Sequence, residues 1–164
     1  MRLVILNRLL VGIFALASLP SAIAQGSMPV EISGILDAKP KVYVTKFAKL
    51  PRSVVDALST VTIGRDEPMA DAGEPWNPSD VITRPILPMQ RLIWAVAGDG
   101  YVVVHYEQGG YAHRFEVVVI SPPRDDGTRA VIWPTAVSDR VIDFPAFASL
   151  ARLGKVRTYN PRSR

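Results

Sequence analysis

Apolar and polar residues alternate most regularly between positions 91 and 120, RLIWAVAGDGYVVVHYEQGGYAHRFEVVVI. The segments 92–97, 101–107 and 111–120 are rich in β-branched and aromatic residues and contain no proline, which is the composition of strands. Asp99-Gly100 and Gly109-Gly110 separate them, and these dipeptides tolerate the positive φ that a type I′ turn requires at both central residues. A helix would have to carry glycines 98, 100, 109 and 110 at a cost of about 1 kcal/mol each. The stretch is therefore predicted to be a three-stranded antiparallel meander.

Register decides which side chains share a face, because a slip of one residue turns a strand's side chains over. With a two-residue loop at Gly109-Gly110, Tyr106 faces His113 and His105 faces Arg114. Val102, Val104, Tyr106, His113, Phe115, Val117 and Val119 then share one face, and His105, Glu107, Arg114 and Glu116 the other. If Gln108 joins the loop, His105 faces His113 and Glu116 falls beside Val102 and Val104. The first register separates apolar from charged residues more cleanly and is preferred. The first strand is apolar on both sides (Leu92, Trp94 and Val96 against Ile93 and Ala95), so its second face is expected to be covered as well.

Outside the meander the pattern changes. Val54, Ala57, Leu58 and Val61 follow Pro51 at helical spacing and predict an amphipathic helix over 51–63, with Gly64 as its stop. Asp143 is placed to cap a second helix, 144–153, that opens at Phe144-Pro145 and ends at Gly154. The segment 41–47 reads as a short strand with one wet face, and 129–133 as a further strand ended by Pro134, joined to the meander by the Asp126-Gly127 turn. Residues 139–142 read as a short extended piece. Residues 30–33 could add an edge strand to a loosely held lead-in. Five prolines between 65 and 90 forbid a continuous helix or central strand there. This segment is expected to wrap the edge or the second face of the sheet, pinned by Trp76.

Together these elements predict an α+β fold. Its mainly antiparallel sheet has four to five strands, the meander 91–120 plus 129–133, with the helices 51–63 and 144–153 packed on one face. The domain organisation follows: a secretory signal peptide at 1–24, a flexible lead-in at 25–40, a single α+β domain at 41–154, and a basic mobile tail at 155–164.

The signal peptide rests on Arg2 and Arg8, an apolar run over 9–19 too short to span a bilayer, and a small-x-small site at Ala22-Ile23-Ala24. Cleavage after Ala24 predicts a periplasmic or secreted protein. The chain has no cysteine, which excludes both a lipoprotein anchor and a disulfide framework. Removing Arg2 and Arg8 leaves 17 basic against 15 acidic residues, a net +2. Lys155, Arg157, Arg162 and Arg164 sit in the tail, so the folded body is slightly acidic. The high isoelectric point is thus no argument for nucleic-acid binding.

Candidate chemistry centres on the two histidines. His105-Tyr106-Glu107 matches the H-x-E of zinc deaminases, but that site needs cysteine ligands. His113 and Glu116 form no H-E-x-x-H, and the acids of 65–90 lack the alternate spacing of a calcium loop. No metal ligand set and no cofactor motif is read. No G-x-S-x-G elbow or phosphate loop occurs. What remains is a surface of His105, Glu107, Tyr111, Arg114 and Glu116, with Tyr101, Tyr106 and Trp94 as further rigid aromatics of the kind enriched at interfaces. Cross-strand charge pairs also stabilise ordinary sheet faces, at about 0.2–1 kcal/mol each. The expected function is a small exported, non-enzymatic protein-binding protein of inhibitor or immunity type, its partner another protein of the bacterial periplasm or envelope. The alternatives are a small periplasmic hydrolase or isomerase using His105 with Glu107 or His113, and a structural envelope protein whose basic tail touches anionic lipid or wall polymer.

Overall fold

The computed structural model describes residues 28–62, 68–81, 84–121 and 131–159. The leader, Gly64, Asp66, Glu67, the Asp126-Gly127 turn and the last tail residues lie outside them. The elements run α1 (Val30–Asp37), β1 (Val42–Val44), a 3₁₀ turn (Phe47–Lys49), α2 (Arg52–Ser59), β2 (Gln90–Gly98), β3 (Tyr101–Gln108), β4 (Arg114–Ser121), β5 (Val131–Val137), α3 (Phe144–Arg152) and β6 (Arg157–Thr158). The strands form one antiparallel sheet in the order β1-β2-β3-β4-β5-β6, each beside its neighbour in sequence. The fold is α+β, with six strands among the described residues instead of four to five. The sixth, β6, lies where the sequence loses its periodicity. Two ladder pairs, Thr135 with Thr158 and Ala136 with Arg157, hold it. The tail expected from residue 155 onward therefore begins as an edge strand.

The sheet is buried on both faces. On one, Ile32 and Leu36 of α1 and Phe144 and Phe147 of α3 pack on Trp94, Val96, Val103, Val117, Val119 and Trp133. On the other, Leu50 with Val54 and Leu58 of α2 packs on Leu92, Ala95, Val102, Val104, Val118 and Ile120. The two predicted helices thus lie on opposite faces, not on one. The reason is apolar residues at successive positions of β2, β3 and β4. Burying each such side chain contributes about 1.5–3 kcal/mol, so each face has to be covered.

The lead-in expected at 25–40 is corrected too. Its Ile32 and Leu36 sit in the first core as part of α1. Eight residues with a central Gly34 would not hold as an isolated helix. Docking of the Ile32–Leu36 stripe stabilises it, and local propensity carries no sign of that.

Helix α3 matches its prediction: the Asp143 carboxylate accepts from the Ala146 amide at 2.9 Å, and Gly154 takes φ +66° just past the end. Strand β5 does not end at Pro134 but runs through it. Pro134 pairs with Val118 in register, while its carbonyl accepts from Tyr159 on the opposite side. A residue's N and C=O point the same way in a strand, so the missing N–H faces the short edge strand and leaves the β4 ladder intact.

Candidate functional site

The observed register redistributes the predicted surface. Gly98 pairs with Tyr101, so the 99–100 turn has two residues, but only Gly100 takes positive φ (+72°), and the expected type I′ geometry is absent. At the second turn the loop has five residues, 109–113: Gln108 pairs with Arg114, Tyr106 with Glu116 and His105 with Val117. Neither register read from the sequence occurs. His105 and Glu107 lie on the α1/α3 face, Arg114 and Glu116 on the α2 face, and Tyr111 at the tip of the loop. The single charged face is therefore corrected to two separate clusters. The preference for segregating charge fails because both faces are covered, so neither is a polar face into which charges could be sorted.

His105 is fully buried and its ring is used up by the fold. The Glu116 carbonyl, 2.9 Å from Nδ1, can only accept, and the Val141 amide, 3.1 Å from Nε2, can only donate. The ring is therefore the neutral Nδ1–H tautomer. The Val141 carbonyl in turn accepts from the Trp94 indole at 2.8 Å. Two side chains of the sheet thus supply Val141 with the partners a neighbouring strand would have given. Burial pushes the His105 pKa down to about 4, helped by the nearby Arg140 guanidinium.

Glu116 is also buried and serves the opposite face. Its Oε2 accepts from the Tyr106 hydroxyl at 2.6 Å and from the Tyr159 hydroxyl, and its Oε1 lies 3.8 Å from Arg114 Nε. Burial, and then the Glu116 carboxylate beside it, raise the Tyr106 pKa well above the usual phenol value. This cluster fastens β6 to the sheet and presents little outward.

The third cluster does face solvent. Glu107 is 4% exposed, and its Oε1 accepts from both Nε and Nη2 of Arg91, each at 2.6 Å. Its Oε2 accepts from His113 Nε2 at 3.0 Å. The Arg91 guanidinium lies 5.1 Å from the centroid of Trp76, a cation–π distance, and the His113 ring sits 5.4 Å from Trp76 and 4.9 Å from Phe115. Tyr111, 97% exposed, projects from the same loop.

The proline-rich segment holds this loop from below. Ala70 bridges to Arg91 and extends the β2 edge beyond β1. The buried Asn77 side chain donates to the carbonyls of Arg84 and Leu87, both at 2.8 Å, and the Gly109 amide donates to Met89. A Cβ on Gly109 would stand 2.2 Å from the Asn77 carbonyl oxygen. Gly109→Ala should therefore force the two loops apart and cost about 1–3 kcal/mol in a urea denaturation.

Of the five predicted residues, Glu107 and Tyr111 belong to this outward cluster. His105, Arg114 and Glu116 do not. Trp76, Arg91 and His113 complete it. Trp76 stood out in the sequence as the large aromatic in the proline segment, whereas nothing in the sequence marks Arg91, whose role depends on the β2–β3 register. Among the described residues no group of three potential metal ligands is gathered. Comparison with protein-family models, curated proteins and solved structures finds no match.

Proposed function

We propose that this is an exported, non-enzymatic binding protein of inhibitor or immunity type, acting on another protein of the bacterial periplasm or envelope through the 109–113 end of its sheet. The observation that carries the reading is the buried Glu107 carboxylate, which fixes Arg91 and His113 against Trp76 beside the exposed Tyr111. Arg, Tyr and Trp dominate the energetics of protein interfaces, and side chains already held in place lose less entropy on binding. Export remains part of the proposal and rests on the leader sequence. The test is affinity capture from native periplasmic extract with mass spectrometry. The wild type should recover one protein stoichiometrically, and Tyr111→Ala should reduce that recovery about tenfold, the effect of losing one interface anchor. Capture of no protein, together with turnover of a small substrate, would overturn the reading.

A second reading, the hydrolase or isomerase, is left with one arrangement. His105 is committed to Glu116 and Val141, so an acid–base pair would have to be Glu107 with His113, 3.0 Å apart. That imidazole packs against the rings of both Trp76 and Phe115, as part of the aromatic surface on which the binding reading rests. Any hydrolytic activity that vanishes in His113→Asn while the fold is kept would favour the enzyme instead.

A further inference from the structure

Strand β1 ends the sheet on one side, and its outer edge is bare. Val42, Tyr43 and Val44 pair with Ala97, Val96 and Ala95 of β2, and among the described residues their backbone bonds to no other element. Lys46 continues the extended backbone just past the strand, with φ −117° and ψ 122°. Val42 and Tyr43 are 54% and 57% exposed and, as neighbours on a strand, point to opposite faces of the sheet. Such an edge is a template for a further strand.

The charge around it is uneven. Between Asp37 and Asp56 the chain carries Lys39, Lys41, Lys46, Lys49 and Arg52 and no acidic residue, whereas the rest of 25–154 holds 8 basic against 15 acidic residues. Asp99 takes Lys41 at 2.5 Å, Asp56 takes Arg52 at 2.9 Å, and the Asp71 carboxylate accepts from the Phe47 amide at 2.6 Å. Lys39, Lys46 and Lys49 are exposed and form no ion pair among the described residues. Lysines on an edge deter pairing with an identical edge, because two β1 strands side by side would bring both sets of lysines together. The same lysines favour a strand of opposite charge.

We infer that β1 receives an extended acidic segment of another protein, added to the six strands at this edge. Main-chain bonds to the bare side supply the affinity, Val42 and Tyr43 offer an apolar contact on either face, and the lysines select carboxylates. A flat anionic bilayer could not take both Val42 and Tyr43, since they face opposite ways. The edge pairs with residues 95–97 of β2, away from the Gln90 end that meets the 109–113 loop, so the inference does not rest on that surface.

The test titrates the ¹⁵N-labelled purified protein with a short peptide of alternating glutamate and valine. One control peptide has lysine in place of glutamate. Another keeps the glutamates but has alternate amides N-methylated, which removes the donors a strand needs. The glutamate peptide should shift the amides of residues 41–46 saturably and slow hydrogen exchange within β1. The N-methylated peptide should bind about tenfold more weakly, and the lysine peptide should not saturate. The variant with Lys39→Glu, Lys46→Glu and Lys49→Glu, all exposed changes, should melt like the wild type and bind the glutamate peptide about tenfold more weakly. Phosphatidylglycerol vesicles should not sediment the wild type. The inference is overturned by the absence of saturable shifts with the glutamate peptide, by equal binding of either control peptide, or by undiminished binding in the variant. Sedimentation with vesicles that the variant abolishes would also overturn it, assigning the lysines to a bilayer.

Discussion

Replacing His105 with alanine is expected to lower stability at pH 7 by about 3–5 kcal/mol, the largest effect of any single change considered. The substitution opens a cavity among Trp94, Phe115 and the 138–143 connection, and it removes the acceptor of the buried Val141 amide. His105→Gln, which can restore one of the two bonds, should lose less. The pH dependence provides a sharper test. Folded His105 has a pKa near 4, against about 6.5 in the unfolded chain, so between these values the unfolded state binds the extra proton. The stabilisation from neutral His105 is complete above pH 6.5 and is lost progressively down to pH 4, by about 3 kcal/mol. In urea denaturations across that window, the advantage of wild type over His105→Gln should narrow by about this amount. An advantage that stays constant with pH would show that the imidazole is not held neutral by the fold.

The second large effect is at Glu107. Glu107→Ala leaves Arg91 and His113 without the acceptor both of them share. Arg91 is partly exposed and His113 half-exposed, so water recovers part of the loss, and a stability cost of about 2 kcal/mol is expected, below the value for a fully buried pair. The functional cost should be larger. With Arg91 and His113 released from Trp76, the surface must be ordered at the moment of binding, and recovery of the partner should fall by tenfold or more. Glu107→Gln keeps an acceptor for Arg91 and should retain part of both properties. Partner recovery that is unchanged in Glu107→Ala would place the binding surface elsewhere on the molecule.

The two buried glutamates have different roles, although both stand on adjacent central strands. Glu116 looks inward to Tyr106 and Tyr159 and ties the C-terminal strand to the sheet. Glu107 looks toward the sheet's end, where its partners reach solvent. One residue of register separates these fates, because neighbouring positions on a strand point to opposite faces.

Local chemistry along the chain was enough to determine the three central strands, the two-residue corner at 99–100, the capped helix after Asp143 and the need for cover on both sides of the first strand. Each follows from short-range effects: strand and helix propensity, the conformational reach of glycine, and a carboxylate satisfying a helix's first amides. The chain alone did not determine the 109–113 loop, the splitting of His105 and Glu107 from Arg114 and Glu116, the opposite placement of α2 and α3, or the helix made from Ile32 and Leu36. These depend on partners distant in sequence. Val141 claims His105, Asn77 closes on Gly109, Trp76 meets Arg91, and the sheet itself holds α1 in a conformation its own eight residues would not keep. A pattern of apolar and polar letters reports which side chains avoid water; when a sheet is covered on both sides, that pattern no longer tells which face a buried charge will take.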